Sequence, residues 1–164
     1  MSTVIDKYPM VALITYIIGM NDRYGIHHSE RVADLCLRMG RHIGIPEAEL
    51  ENLELCALLH DIGKLGIPEW IRTKPGPLTE AEYLLMQHHP RMGLDIIRRM
   101  NGAISEQVRM AIYHHHENWN GSGYPDGLKG NAIPREARFI RVADTFDAMT
   151  HSRGFRVPLT EEQA

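Results

Sequence analysis

The sequence is poor in cysteine and in net charge, and it has no long apolar run and no alternating strand pattern. With two cysteines in 164 residues, the chain must rely on a hydrophobic core, which this length suffices to build. Cys36 and Cys56 fall inside apolar helical patterns without partner-like spacing, so they are expected as buried thiols in a reducing cytoplasm. A formal charge of -3 leaves no basic stripe for a polymeric nucleic acid, while a small anionic substrate stays open where a metal supplies the positive field. The apolar stretch from Pro9 to Met20 is too short for a membrane span and carries no signal-type cleavage pattern. No internal repeat or low-complexity tract appears. The missing period-two alternation makes the expected class all-α, with residues 1–164 forming one domain.

What the chain does have is histidine, ten in all, clustered at a few points along helical patterns. A first helix is expected over Met10 to Met20. A second, about Ser29 to Ile43, has Val32, Leu35, Cys36, Met39 and Ile43 on one stripe, and Gly44 closes it. Pro46 opens a third, whose inward stripe reads Leu50, Leu53, Ala57, His60, Asp61 and Lys64. After the loop Thr73–Pro77, Thr79 and Glu82 form a capping box for a helix with Leu85, His89, Met92 and Ile96 on one face. Asn101-Gly102 breaks the chain. A helix from about Ser105 carries Val108, Ala111, Ile112 and His115. The Gly-rich segment Asn118–Ile133 is read as a loop, and loops of that length usually carry function. Pro134 starts a last helix with Ala137, Ile140, Asp144, Asp147 and Ala148 on one side.

Polar residues interrupt these apolar faces. His60, Asp61, His89, His115, Asp144 and Asp147 each extend an inward stripe, and His28 stands one turn before Val32. Several buried carboxylates require cations, and a mixed imidazole–carboxylate set suits divalent metals such as iron, manganese or zinc. His116 follows His115 at about 100° around the axis and would serve a second ion. Asp147 is left between supporting the site and facing solvent. His88, His114, His27 and His42 are expected at the surface, and His151 either there or at the site entrance. In the loop, the glycines allow close approach to a ligand, and Trp119 and Tyr124 are candidates to stack on a base.

The ordered segments His28-Ser29-Glu30-Arg31-Val32, His60-Asp61-Ile62-Gly63-Lys64, Lys74-Pro75-Gly76, His115-His116-Glu117, Gly123-Tyr124-Pro125 and Val142–Ala148 resemble the HD-GYP family of cyclic di-GMP phosphodiesterases. The resemblance runs from about Asp22 to the last residue. It implies an HD-type helical bundle around two, sometimes three, metals, commonly iron or manganese. His28, His60, Asp61 and Asp144 would hold one ion, and Asp61 would bridge to a second held by His89, His115 and His116. Tyr24 stands where a third-metal glutamate occurs in some members, so two ions are expected. Asp61 and Lys64 are the catalytic candidates, and Tyr124, Arg153 and Arg156 the substrate-binding ones. Gly123, Pro125 and Asp147 are candidates for shaping the site. Asn120 replaces a usual aspartate, and Gly154-Phe155 a usual Pro-Tyr.

The implied reaction is attack of metal-activated water on phosphorus, giving pGpG or GMP. Two alternatives accompany it: an HD-type hydrolase of another cyclic dinucleotide or nucleotide, and a non-catalytic module that binds cyclic di-GMP. The family domain continues with one or two helices beyond the point matching Ala164. A sensor or regulatory protein partner and a homodimer are both compatible with the sequence.

Overall fold

A computed structural model of the chain describes residues 4, 8–20, 27–100, 104–151 and 158–164. Among them run eight α-helices: α1 (Pro9–Met20), α2 (His28–His42), α3 (Glu47–Leu59), α4 (Glu69–Arg72), α5 (Glu80–Met86), α6 (His89–Arg98), α7 (Glu106–His114) and α8 (Arg135–Thr150). Two 3₁₀ turns, Ile62–Gly66 and Gly130–Ala132, join them. Among the described residues the sole strand-like feature is an isolated bridge between Asn120 and Lys129, so the class is all-α.

The bundle is organised around α3. Its residues Leu50, Leu53, Leu55, Cys56, Ala57, Leu58 and Leu59 are all buried, and its C-terminal stretch Leu55–Leu59, apolar on every side, belongs at the centre. Helices α1, α2, α7 and α8 pack against it. From α2 come Val32, Ala33 and Cys36, from α7 Val108, Ala111 and Ile112, and from α8 Ile140 and Ala143. Both cysteines are free and buried. Burial pushes the Cys36 thiol up to about 12, which makes it a packing group rather than a nucleophile.

Local signals place the helix ends. Gly44 has φ +79°, the left-handed conformation that turns the chain away from α2. Thr79 accepts from the Glu82 amide while the Glu82 carboxylate accepts from the Thr79 amide, completing the expected capping box. Ser105 caps α7 by accepting from the Val108 amide.

Three readings of the stripes need correction. Ile43 lies just past the end of α2 and is 64% exposed, because the turn at Gly44 has already begun. The helix expected through Leu85, His89, Met92 and Ile96 is two helices. Pro90, at the start of α6, is compatible only with a first turn, so the helical phase resets there. Leu85 is therefore exposed, and the inward stripe of α6 is His89, Gly93, Leu94 and Ile97. The third is His114, which is buried. Its Nδ1 donates to the Met110 carbonyl, and its Nε2 faces Asp126 at 3.1 Å. The break expected at Asn101-Gly102 lies outside the described residues.

Candidate metal centre and substrate cavity

Almost every polar group that interrupts the apolar stripes sits at a helix end. His28 opens α2, His60 and Asp61 follow α3, His89 opens α6, and His115 and His116 follow α7. Asp144 and Asp147 come from within a helix, α8. Helix C-termini leave backbone carbonyls without intrahelical donors. Three of the histidines use this in the same way. His60 Nδ1 donates to Ala57 O at 2.7 Å, His89 Nδ1 to Met86 O at 2.7 Å, and His115 Nδ1 to Ile112 O at 2.6 Å. Each bond keeps Nδ1 as the donor and directs Nε2 into the site.

His28 reaches the same state through a side chain. Its Nδ1 lies 2.7 Å from Asp147 Oδ2. Asp147 also accepts from Arg31 Nε at 2.6 Å, and His151 Nδ1 approaches it at 3.0 Å. Asp147 is buried, and the His28 and Arg31 side chains hold its carboxyl far below the usual carboxylate range against the penalty of burial. Asp147 is thus buried against His28 and not at the helix surface.

The donors form two groups, His28–His60–Asp144 and Asp61–His89–His115–His116, each compact enough to hold an ion. Asp61 stands between them. Its Oδ2 lies 3.2 Å from His60 Nε2, 3.7 Å from His28 Nε2 and 2.6 Å from Lys64 Nζ. Its Oδ1 lies 3.4 Å from His89 Nε2 and 4.0 Å from His115 Nε2. The two oxygens of one carboxylate thus face opposite donor sets.

The arrangement fits metal ions on grounds of lone pairs alone. His60 Nε2 is buried and lacks a hydrogen bond of acceptable geometry. In the other group, His89 Nε2 lies 3.1 Å from His115 Nε2 and 3.2 Å from His116 Nε2. With Nδ1 protonated on His89 and His115, the Nε2 lone pairs of these two point at one another, which is repulsive without a cation between them. Two imidazole nitrogens on one zinc-sized ion stand about 3 Å apart, as bond lengths of ~2.0–2.1 Å imply. An all-nitrogen-and-oxygen donor set of this kind suits zinc, iron or manganese.

The electrostatics divide the two groups. Burial alone would strip His60 of its proton, but the Asp61 carboxylate, with Asp144 further off, pushes it up to about 9. Burial also works against ionised Asp61, yet His60 and Lys64 hold it well below the usual carboxylate range. His89 behaves oppositely: burial, aided by Lys64, outweighs Asp61 and lowers it to about 4. Burial and neighbouring imidazoles hold His115 and His116 well below the ordinary imidazole value. His60 therefore draws a positive charge, whereas His89, His115 and His116 present neutral imidazoles.

Glycines set the backbone around these groups. A Cβ on Gly63 would collide with the His89 carbonyl and the Gly93 amide, and one on Gly123 with the backbone of His116, Glu117 and Asn118. The 3₁₀ turn after Asp61 thus lies directly against α6, and the Gly-rich loop directly against the end of α7.

Above the donors opens a cavity of about 770 Å³, within the range of small-molecule sites. Asp61, Lys64, His89, His116, Asp144 and Tyr124 line it. The Tyr124 ring stacks on His116, with centroids 4.7 Å apart and an interplanar angle of 23°. Burial raises its hydroxyl well above the ordinary tyrosine value, so it remains a donor. Gly123 also lines the cavity, whereas Pro125 and Trp119 do not. Trp119 is exposed, with the Arg138 guanidinium 5.7 Å from its ring. Asn120 accepts from the amide and hydroxyl of Ser122. His27, His42, His88 and His151 are exposed, and the last pairs with Asp147. Tyr24, Arg153, Arg156 and Gly154-Phe155 lie outside the described residues.

Two participants escaped the sequence reading. Glu117 is buried and accepts the Asp126 amide at 2.8 Å, pinning the Gly-rich loop. Arg141 lines the cavity one turn before Asp144, with its Nε donating to Asn118 Oδ1 at 2.9 Å. Its spacing of three from Asp144 was the available signal.

A family model described as "HD domain" matches residues 12–164. The chain belongs to the HD family, in its HD-GYP branch. This HD-GYP domain is 39% identical over 135 residues to the cyclic di-GMP phosphodiesterase response regulator RpfG of Xanthomonas campestris, covering 82% of this chain and 36% of that protein. It is 38% identical over 136 residues to the 3'3'-cGAMP-specific phosphodiesterase 2 of Vibrio cholerae, covering 83% of this chain and 26% of that one. Among solved structures, Bd1817, an HDG"Y"P protein from Bdellovibrio bacteriovorus, superposes with a TM-score of 0.65 at 26% identity, over 75% of this chain and 40% of that one. The HD-GYP domain thus spans well under half the length of these relatives. None of its described helices is long and apolar enough to cross a membrane.

Proposed function

We propose that the domain is a metal-dependent phosphodiesterase that opens a 3′,3′-cyclic dinucleotide to its linear form. The observation that carries this reading is the carboxylate of Asp61, with one oxygen toward His60 and the other toward His89, at the floor of a ligand-sized cavity. A paired-ion centre needs one shared anionic ligand, and Asp61 is the group with both faces occupied by donors. His28, His60, Asp61 and Asp144 are assigned to one ion, and Asp61, His89, His115 and His116 to the second. When bound, paired ions lower the pKa of water and withdraw charge from a phosphoryl oxygen.

The chain's own residues do the rest. Asp147 keeps His28 in the tautomer that offers Nε2. Lys64, held 2.6 Å from Asp61, places a positive charge where negative charge grows on the scissile phosphate. Tyr124, stacked on His116, presents a protonated hydroxyl and an aromatic face to the nucleotide. Phosphorus is attacked by water and the ribose 3′ oxygen leaves with a proton, giving a linear dinucleotide with a 5′ phosphate.

Cyclic di-GMP and 3′,3′-cGAMP both stand as substrates, because relatives of near-equal identity carry one name or the other. The test is anaerobic reconstitution with Fe(II) or Mn(II), incubation with each dinucleotide, and chromatography of products. Linear dinucleotide from either one, abolished in Asp61→Ala, is the expected result. Tight binding without product under every metal would make the domain a binding module instead, and inertness toward both with turnover of a nucleotide monoester would move it to another HD hydrolase class.

A further inference from the structure

A cyclic dinucleotide carries two phosphates, and the donor cluster accounts for only the one being cut. The second phosphate would share the same cavity, where a cation on the wall would favour its binding. Of the cavity's basic residues within the described chain, Lys64 is committed to Asp61, and Arg72 donates its Nε to the Ile67 carbonyl at 3.0 Å and is engaged in a further interaction besides. Arg141 differs. Its Nε is tied to Asn118 Oδ1, and no described residue takes its terminal amino groups. Asn118 is itself held, donating to Ser122 Oγ at 3.1 Å. The guanidinium is thereby fixed on one edge with the other edge unused, at the wall formed by α8 and the Gly-rich loop. It is close enough to Tyr124 and His116 to influence both electrostatically. A planar fork held by one nitrogen is suited to two parallel hydrogen bonds with phosphate oxygens.

We propose that Arg141, steadied by Asn118, anchors the phosphate of the cyclic dinucleotide that is not being cleaved. The proposal rests on the phosphodiesterase reading above. It makes Arg141 a binding residue for the cyclic substrate, with its energy realised equally in ground and transition states.

The test uses the metal-reconstituted chain with Arg141→Ala and Arg141→Lys, on cyclic di-GMP and on 3′,3′-cGAMP. Loss of a charge-assisted pair predicts a KM or Kd roughly 10–100-fold higher for Arg141→Ala, with kcat nearly unchanged and metal content intact. Arg141→Lys should recover part of the loss, since it restores the charge and not the fork. The same fold-change is expected on the 7-deazaguanine analogue of cyclic di-GMP. An unchanged KM and Kd overturns the proposal. So does a fall in kcat alone, which would place Arg141 on the scissile phosphate. A penalty that disappears with the 7-deaza analogue overturns it as well, by assigning the contact to a guanine edge. Calorimetric Kd values separate the two levels of inference: wild type that binds without cutting defeats the enzymatic reading and still reports on Arg141.

Discussion

Lys64 Nζ lies 2.6 Å from Asp61 Oδ2, and both side chains are almost wholly buried. A buried carboxylate with donor nitrogens on either side thus has one fixed cation of its own. Removing one partner of a buried pair typically costs about 3–5 kcal/mol. Lys64→Met should lower urea-melt stability by that order in chelator and by clearly less with Mn(II), when ions compensate Asp61. Its turnover should fall about 100–1000-fold, as expected when one electrostatic donor is lost. Equal destabilisation with and without metal would show that Lys64 serves packing alone.

Asp61 faces both donor groups, whereas His28 and His89 each face one. Asp61→Ala should therefore lose most of both ions, and His28→Ala or His89→Ala mainly one, by elemental analysis after dialysis. Retention of two ions by Asp61→Ala would remove it from the position of a shared ligand.

Asp147 touches His28 without lying in either donor group. Asn at this position keeps the shape and removes the charge that favours the His28 Nδ1–H tautomer. Asp147→Asn should weaken metal affinity about 10–100-fold with every donor still present. Unchanged affinity in a competitive chelator titration would limit Asp147 to its pairs with Arg31 and His151.

The histidines predict a stability maximum for the metal-free protein. His60 is raised to about 9 from 6.5, so its contribution is complete below about pH 6.5 and is lost as pH rises through about 9. His89 is lowered to about 4 from 6.5. Its neutral form must be charged as pH falls from about 6.5 toward 4, which costs stability on the acid side. Melting temperature in chelator should peak near pH 6.5 and decline on both sides. A bound ion replaces the His60 proton, so metal should flatten the alkaline decline, and binding near neutral pH should release a proton. A calorimetric enthalpy independent of buffer ionisation would contradict that exchange.

Gly123→Ala should disturb the loop locally. Its Cβ would meet the backbone of three consecutive residues, His116 to Asn118, which no rotamer change can relieve. Tyr124 should then lose its stacking on His116, and activity should fall more than tenfold while helical circular dichroism stays unchanged. A fully active variant would show that the loop can withdraw without moving Tyr124.

Much of this architecture was legible because helix periodicity and end signals are local. Gly44, the Thr79–Glu82 box and the buried face of α3 follow from neighbouring residues. The polar interruptions at His28, His60, Asp61, His89, His115 and Asp144 were legible because buried charge stands out against an apolar stripe. What failed was non-local or cumulative. His114 looked outward by its angle on α7, but Asp126 folds back from the Gly-rich loop to cover it. The stripe through Leu85 and His89 ignored Pro90, which resets the phase between α5 and α6. Arg141 reads as an ordinary surface arginine until Asn118, 23 positions earlier, fixes its direction.

The contact of Gly63 with the His89 carbonyl and the Gly93 amide makes the separation between the two donor groups a property of main chain. Side chains swing, but two backbones pressed together act as a ruler. Exchange of one metal for another of different radius must then be absorbed by rotation of imidazoles and of the Asp61 carboxylate. A methyl group at position 63 would instead lengthen the ruler itself, shifting the His60 side away from the His89 side without touching a single donor atom.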